Sequence, residues 1–338
     1  MKILAVETSC DETCAAVVEG TTILSNVVHS QIDLHKEFGG VVPSIARRAH
    51  EEKISFVIDK AMLNAQCSAH NIDAVAVTAG PGLAIALEVG IRHAKELAKK
   101  LDKPLIAVNH IEGHVLSGLT PEVQFPAMAL VVSGGHTELI WVEKIGQYKI
   151  VARTMDDALG EALDKAARML GLGYPGGAEL EKKAALGDLK KYPLPLPMAR
   201  SKVVAFSYSG LKTAFYRLVS AKGQVLSAKE VEDLAAGFQW RAFEHLLRIT
   251  RATLNAQPTM PKNLLVGGGV AANAKLREDI KKLSDEVGGQ VWFPKKGMYG
   301  DNAAMIGIAA GFKAQRGKFA DPNKVDRLPR WRIDDPGV

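Results

Sequence analysis

Cysteine is scarce in this 338-residue chain. Cys10, Cys14 and Cys67 are the only three, an odd number with no C-x-x-C spacing. That excludes a disulfide framework and a cysteine zinc knuckle, and it fits a reducing compartment. Long apolar runs are missing too. The longest candidate, residues 74–87, is broken at Gly80, Pro81 and Gly82, short of the roughly 18 apolar residues of a membrane span. At the N-terminus Glu7 ends the apolar run after four residues, too early for a secretory signal. The expectation is a soluble cytoplasmic chain with no membrane partner. Acidic residues are nearly absent from one stretch: from Lys182 to Lys222 nine basic residues face a single acid, Asp188, while the rest of the chain holds 34 basic and 36 acidic residues. One segment therefore carries the whole net charge of +6.

What is present is ample apolar material. At 47% hydrophobic and 24% charged residues, disordered, collagen-like and disulfide-scaffold classes are excluded, and the length suggests about two domains of roughly 150 residues each. Residues 3–6, 15–18 and 23–28 are short apolar runs separated by turn formers and read as strands. From residue 51 the period changes: Ile54, Val57, Ile58, Ala61, Met62 and Ala65 mark one face of an amphipathic helix. A buried strand at 74–78, a helix over 88–100 and a buried strand at 105–108 follow, which predicts an α/β architecture. Helices are expected over 160–170, 231–254 and 302–313, and the alternate prolines of residues 192–197 (YPLPLP) favour an extended connection. Displacing the sequence by 124 residues aligns Ser9 with Ser133, Thr13 with Thr137, and Val18 and Glu19 with Val142 and Glu143. This points to a duplicated unit that opens with strand, turn, strand.

Two glycine-rich turns sit where strands end, at residues 129–137 (ALVVSGGHT) and 264–273 (LLVGGGVAAN). Each can cradle phosphate oxygens with backbone N–H groups, Asn273 adding a polar contact at a helix start; each can equally be a tight structural turn. Neither matches a Walker loop or G-x-G-x-x-G. His110 and His114 are spaced i, i+4 and can share a metal ion on one helical face, with Asp301 as the best acidic third ligand. The plain alternatives are two ordinary histidines, on a turn weakened by Gly113, and an Asp301 that caps the last long helix. The order is not H-E-x-x-H, so Glu112 is not a metalloprotease base. Glu161, Asp164, Lys165 and Arg168 share a polar helical face that i, i+4 pairs such as Glu161–Lys165 and Asp164–Arg168 would explain. Tyr174 to Gly177 (YPGG) reads as a turn.

The basic segment interleaves its cations, Lys190, Lys191, Arg200 and Lys202 among them, with Tyr192, Phe206, Tyr208, Phe215 and Tyr216. Cations for phosphates and aromatic faces for unstacked bases are what RNA recognition uses. A solvated basic face is the alternative.

Taken in order, residues 7–13 (ETSCDET), 39–44 (GGVVPS), 78–83 (TAGPGL), 109–114 (NHIEGH), 133–137 (SGGHT), 174–177 (YPGG), 206–213 (FSYSGLKT), 267–273 (GGGVAAN) and 301–305 (DNAAM) form a specific set. Nearly end to end, from Ile3 to about Arg332, the chain resembles the bacterial tRNA N6-adenosine threonylcarbamoyltransferase family (TsaD, formerly named as a glycoprotease). The resemblance implies a two-lobed α/β fold of the actin, Hsp70 and sugar-kinase type (ASKHA) with a duplicated βββαβαβα core. One lobe would take residues 1–108 plus about 306–338, and the other 109–305, with metal and nucleotide sites at the cleft. It implies transfer of threonylcarbamoyl from threonylcarbamoyl-AMP to N6 of adenosine 37 in tRNAs reading ANN codons, with release of AMP.

On this sequence the family's ligands to one divalent metal, iron or zinc, fall on His110, His114 and Asp301. Its adenylate contacts fall on Val131, Val132, Ser133, Gly134, Gly135, Asp164, Gly177 and Asn273, with ATP or ADP as further occupants of the same cleft. Asp11 and Glu12 match the acidic pair of the first loop, as base or electrostatic support. Implied partners are tRNA, an inactive TsaB-like paralogue, a small TsaE-like ATPase and a separate synthase that supplies the adenylate. Ile85 and Glu88 depart from the family pattern on the helix resembling its partner-contact region, Leu163 replaces an aromatic residue, and Tyr299 and Gly300 replace Cys-Thr. A sugar or small-molecule kinase of the same fold is the alternative enzyme, and a non-catalytic scaffold a third reading.

Overall fold

The structure, a computed structural model, describes residues 1–223, 225–257 and 261–335. They form two compact units: Met1–Gly118, Ile145–Tyr148 and Lys295–Val338 in the first, Leu119–Lys144 and Lys149–Pro294 in the second. The first unit runs β1 (Lys2–Glu7), β2 (Glu12–Glu19), β3 (Thr22–Ser30), α1 (Ile32–His35), α2 (Pro43–Asn64), β4 (Ala74–Gly80), α3 (Ala84–Leu101), β5 (Leu105–Asn109) and α4 (His110–Leu116). The second runs β6 (Ala127–Val132), β7 (Thr137–Lys144), β8 (Gln147–Arg153), α5 (Leu159–Met169), α6 (Gly177–Ala184), α7 (Ser209–Ser220), α8 (Ala228–Asn255), β9 (Asn263–Gly267), α9 (Ala274–Glu286) and β10 (Gln290–Trp292). The chain then returns to the first unit with α10 (Ala303–Gln315).

Each unit holds a five-stranded mixed sheet, ordered β3-β2-β1-β4-β5 in one and β8-β7-β6-β9-β10 in the other. The repetition extends to register: Glu7 pairs with Cys14, and 124 positions later Val131 pairs with Glu138. The duplication read from a few matched residues is thus present in the strand pairing. β4, β6 and β9 are buried along their whole length, as expected of central strands covered on both faces, and the terminal strand β5 is buried as well. The edge strands β3 and β8 alternate in exposure.

The first unit reaches further than residues 1–108 and 306–338: residues 109–118 and 295–305, expected in the other lobe, belong to it. The reason is local. Asn109 ends β5 and caps α4 directly, so no linker separates helix from sheet. α2 begins at Pro43, well before residue 51, with proline in the first turn where its missing N–H leaves no bond unmade. α7 was not foreseen. Its first turn is held by Asp156, whose carboxylate accepts the backbone N–H of Tyr208 (2.8 Å) and Ser209 (3.3 Å) and the hydroxyl of Ser209 (2.9 Å). Among the described residues no helix is long and apolar enough to cross a membrane.

Candidate active site

In the first unit the Asn109 side chain accepts the backbone N–H of Ile111 (2.9 Å) and Glu112 (3.4 Å), so α4 starts at His110. One turn on, His114 shares its face, and the two rings meet edge to face with centroids 4.6 Å apart. Gly113 does not break this helix; it lets α4 lie tightly on α10. A Cβ at Gly113 would stand 3.0 Å from Ile306 Cδ1 and 3.1 Å from Met305 Cγ. Asp301 precedes α10 but does not cap it, contrary to the plain expectation. The cap is Asn302, whose Oδ1 accepts Met305 N–H at 3.0 Å. Asp301 therefore faces the histidines, its Oδ1 3.1 Å from His114 Nε2 and 3.4 Å from His110 Nε2. One ligand atom from each of the three residues lies within 4.8 Å of the others.

A fourth residue, Glu7, joins them; the sequence marks it as the end of the first apolar run and the first residue of the 7–13 motif, without a role at the site. Its Oε2 accepts from His110 Nδ1 (2.9 Å) and the Thr78 hydroxyl (2.6 Å), and its Oε1 accepts Ser9 N–H. Burial would raise the Glu7 carboxyl, but the charge and hydrogen bond of His110 hold it below its ordinary value. Burial likewise opposes charging of His110, yet Asp301 and Glu7 raise it well above the usual imidazole range. Asp301 is held well below the carboxylate range against its own burial, chiefly by His110. His114 is lowered by burial and by the charge of His110. Two carboxylates against one imidazolium leave net negative charge beside a neutral His114. Both ring nitrogens of His114 are buried without a hydrogen-bond partner, Nε2 lying near Asp301 but off the bonding direction. Two imidazoles and a carboxylate with orphaned, buried donor atoms in an anionic setting suit a divalent cation.

Asp11 lies on the turn after β1, and Glu12 opens β2. Glu12 is pushed up to about 9, first by burial and then by the negative charges of Asp11 and Asp301. The turn is fastened from behind by His50, a residue the sequence did not single out: its Nε2 donates to the Cys10 carbonyl (3.0 Å), and its Nδ1 lies 2.8 Å from the Thr13 hydroxyl. Glu112 accepts from the Tyr148 hydroxyl at 2.9 Å, and Glu88, one of the departures from the family pattern, pairs with Arg327 at 2.8 Å.

In the second unit, Val131 and Val132 are buried at the end of β6, and the turn that follows is closed by Ser133 N–H to the His136 carbonyl (2.8 Å) and His136 N–H to Ser133 Oγ (3.1 Å). The N-terminal turn of α5 sits on this turn through Gly160 N–H to the Ser133 carbonyl (3.2 Å). The second glycine turn lies against the first: Gly268 has φ +95°, and a Cβ there would be 2.3 Å from the Val132 carbonyl oxygen. Asp164 Oδ1 accepts the N–H of Gly176 and of Gly177, each at 2.8 Å. Gly177 opens α6 rather than completing a simple turn. Asn273 is engaged internally, its Oδ1 capping α9 through Leu276 N–H (2.9 Å) and its Nδ2 donating to Gln239 (3.0 Å). Beside Gly135 a hollow of about 430 Å³ is lined by His136, Thr137, Glu138, Arg153, Thr154 and Met155.

The basic segment is corrected in one respect. Phe206, Tyr208 and Phe215 are buried in the core and present no face to a nucleic acid; Phe215 falls on the apolar side of α7 with Leu211. Tyr192 lies under the Lys222 ammonium at 4.3 Å, and Tyr216 is exposed. Lys182, Lys212 and Lys222 pair with Glu179, Asp157 and Glu230. Lys190, Lys191, Arg200 and Lys202 are exposed, and no ion pair among the described residues takes them up.

Two sheets of one order, each opened by a β-hairpin and closed by parallel strands, define an α/β protein of the actin, Hsp70 and sugar-kinase class. Solved structures agree on this fold. HypF of T. kodakarensis is similar with a TM-score of 0.60 at 15% identity, over 93% of this chain and 48% of that one. The activator of the 2-hydroxyisocaproyl-CoA dehydratase from Clostridium difficile, with bound ADPNP, is similar with a TM-score of 0.54 at 13% identity, over 94% and 97%. The family model for tRNA N6-adenosine threonylcarbamoyltransferase (TsaD) matches residues 22–308. A protein of that name from Syntrophotalea carbinolica is 45% identical over 340 residues, covering 100% of this chain and 98% of its own. The chain belongs to the tRNA N6-adenosine threonylcarbamoyltransferase family and is an acyltransferase; the kinase alternative is not favoured.

Proposed function

We propose that the chain transfers threonylcarbamoyl from threonylcarbamoyl-AMP to N6 of adenosine 37 in tRNAs that read ANN codons, releasing AMP. The observation that carries this reading is the convergence of His110, His114 and Asp301 in a chain of this family. These three residues would hold one divalent metal, and two imidazoles with a carboxylate accept iron or zinc. When bound, the ion would supply Lewis-acid polarisation of substrate oxygens.

The remaining work is positioning. The turn offers the backbone N–H groups of Gly134 and Gly135 to the adenylate, with Ser133 closing the turn onto His136 and Val131 and Val132 fixing it from the strand. Asp164 orders the backbone at Gly176 and Gly177, and Asn273 sets the start of α9, so that these groups define the nucleotide's place; ATP and ADP are further occupants of it. Of the acidic pair Asp11 and Glu12, read as base or electrostatic support for the attacking amine, Glu12 is pushed up to about 9 and holds a proton near neutral pH, which leaves that role to Asp11. Lys190, Lys191, Arg200 and Lys202 neutralise tRNA phosphates. The reading includes a TsaB-like paralogue, a TsaE-like ATPase and a separate adenylate synthase as partners, and a cytoplasmic setting alongside the tRNA.

The test is reconstitution from purified protein, the partner proteins, the synthase, threonine, bicarbonate, ATP and tRNA, with nucleoside digestion and mass spectrometry. Threonylcarbamoyladenosine is expected. Its absence, where a relative forms it under the same conditions, sinks the reading.

A further inference from the structure

The geometry points to Glu7 as a positioning residue that selects the nitrogen His110 offers to a metal; this rests on the metal reading of His110, His114 and Asp301 given above. An imidazole can ligate through either nitrogen, and the hydrogen bond on one decides which lone pair remains for the ion. His110 Nδ1 lies 2.9 Å from Glu7 Oε2 and 3.2 Å from the Ser9 hydroxyl. A carboxylate cannot donate, so Nδ1 carries the proton, and Nε2, 3.4 Å from Asp301 Oδ1, is the nitrogen on the side of the other two ligands.

Glu7 is itself fixed. Its side chain is 1% exposed, and its donors come from three places in the fold: the turn after β1 (Ser9), β4 (Thr78) and α4 (His110). Among the described residues, the cationic side chain in its ion pair is His110. A buried acid at the end of a central strand is costly unless it is satisfied. Here the satisfied acid sets the rotation of a ring whose other side faces Asp301 and His114. Asp301 is brought to the opposite side by α10, so His110 is held between a carboxylate that orients it and one that shares its ligand role.

The test compares wild type with Glu7→Gln, Glu7→Asp and His110→Ala. Zn²⁺ affinity is measured by competition with a chromophoric chelator, and the visible spectrum of Co²⁺-loaded protein is recorded. Far-ultraviolet circular dichroism and thermal unfolding of the apo-proteins establish that each variant is folded. Glu7→Gln keeps an oxygen for Ser9 or Thr78 but loses the charge on Nδ1–H. It is expected to weaken Zn²⁺ binding about 10- to 100-fold and to shift the Co²⁺ bands. Glu7→Asp keeps the charge on a shorter stem and is expected to fall between; it carries the comparison if Glu7→Gln does not fold. Wild-type affinity and an unchanged Co²⁺ spectrum in folded Glu7→Gln, or in Glu7→Asp where that is the folded variant, overturn the role of Glu7 and leave the metal site standing. Stoichiometric metal in His110→Ala, or none in wild type, overturns the metal reading and this inference with it.

Discussion

Asp164 takes the backbone N–H of Gly177 on Oδ1 at 2.8 Å, and the same oxygen takes that of Gly176 at 2.8 Å. One carboxylate on α5 thus orders the entry to α6, a place where the helix has no side-chain cap of its own. Hydrogen bonds to a charged acceptor contribute about 1.5–3 kcal/mol each, less where water competes. Asp164→Ala is expected to lower stability to urea by about 2–3 kcal/mol and to speed amide exchange at Gly176 and Gly177. Asp164→Asn, which retains one carbonyl oxygen, should lose about half as much. Unchanged exchange at these two amides in Asp164→Ala would remove the ordering role.

Gly268 ties the two glycine turns of the second unit together. Its φ of +95° and the 2.3 Å separation of an added Cβ from the Val132 carbonyl leave no room for a side chain, and the obstacle is backbone that cannot rotate away. Gly268→Ala is expected to cost about 3 kcal/mol or more, the sum of left-handed strain and overpacking. The substitution should also weaken binding of a non-hydrolysable adenylate analogue to whatever protein remains folded. Urea unfolding with analogue titration checks both, and a stability within 1 kcal/mol of wild type, roughly the scatter of tolerated swaps, contradicts the close packing.

These residues differ in how far sequence alone reveals them. The strands of the first sheet and β6, β7 and β9 of the second were legible as apolar runs, and the repeat because its hairpins keep one register; β8, polar and alternating in exposure, and β10, three residues long, carry no such run. Asp301 and Asn302 are adjacent residues of the same capping type, and only the backbone shows that Asn302 caps α10 while Asp301 turns to the histidines. Glu7 was hidden for a different reason: the donors that make its burial tolerable, Thr78 and His110, lie far along the chain. Phe206, Tyr208 and Phe215 misled because composition counts an aromatic residue beside lysines without saying which face of α7 or which side of a loop it occupies. The duplicated hairpins, by contrast, are local, and local pattern survives in sequence.

A pH effect on stability follows from His245, fully buried on α8 between Phe206 and Tyr208. Ser207 N–H donates to its Nε2 at 3.2 Å, which a proton on that nitrogen would break. Burial first, and the nearby charge of Arg248 second, lower its pKa from 6.5 to about 4. Between those values the unfolded chain binds a proton that the native chain does not, so stability is full above pH 6.5 and falls as the pH drops towards 4. The whole shift corresponds to about 3 kcal/mol. His245→Gln, which still offers an acceptor to Ser207, is expected to flatten this part of the profile. Urea midpoints taken across the window check it, and parallel profiles for variant and wild type would rule it out.

Lys190 and Lys191 lie in the exposed stretch that carries the chain's basic excess, and no ion pair among the described residues occupies them. If their field receives tRNA, reversing both charges should weaken tRNA binding at least about tenfold and lower the slope of log affinity against log salt by about 2, since each phosphate contact contributes a little under one unit. The same reversal at Lys99 and Lys100, exposed at the end of α3 in the first unit, changes net charge equally and serves as the control. A filter-binding or fluorescence titration from low to physiological salt separates the two. Equal losses in both double variants would reduce the effect to overall charge, and no loss at Lys190→Glu with Lys191→Glu would leave that face to solvent.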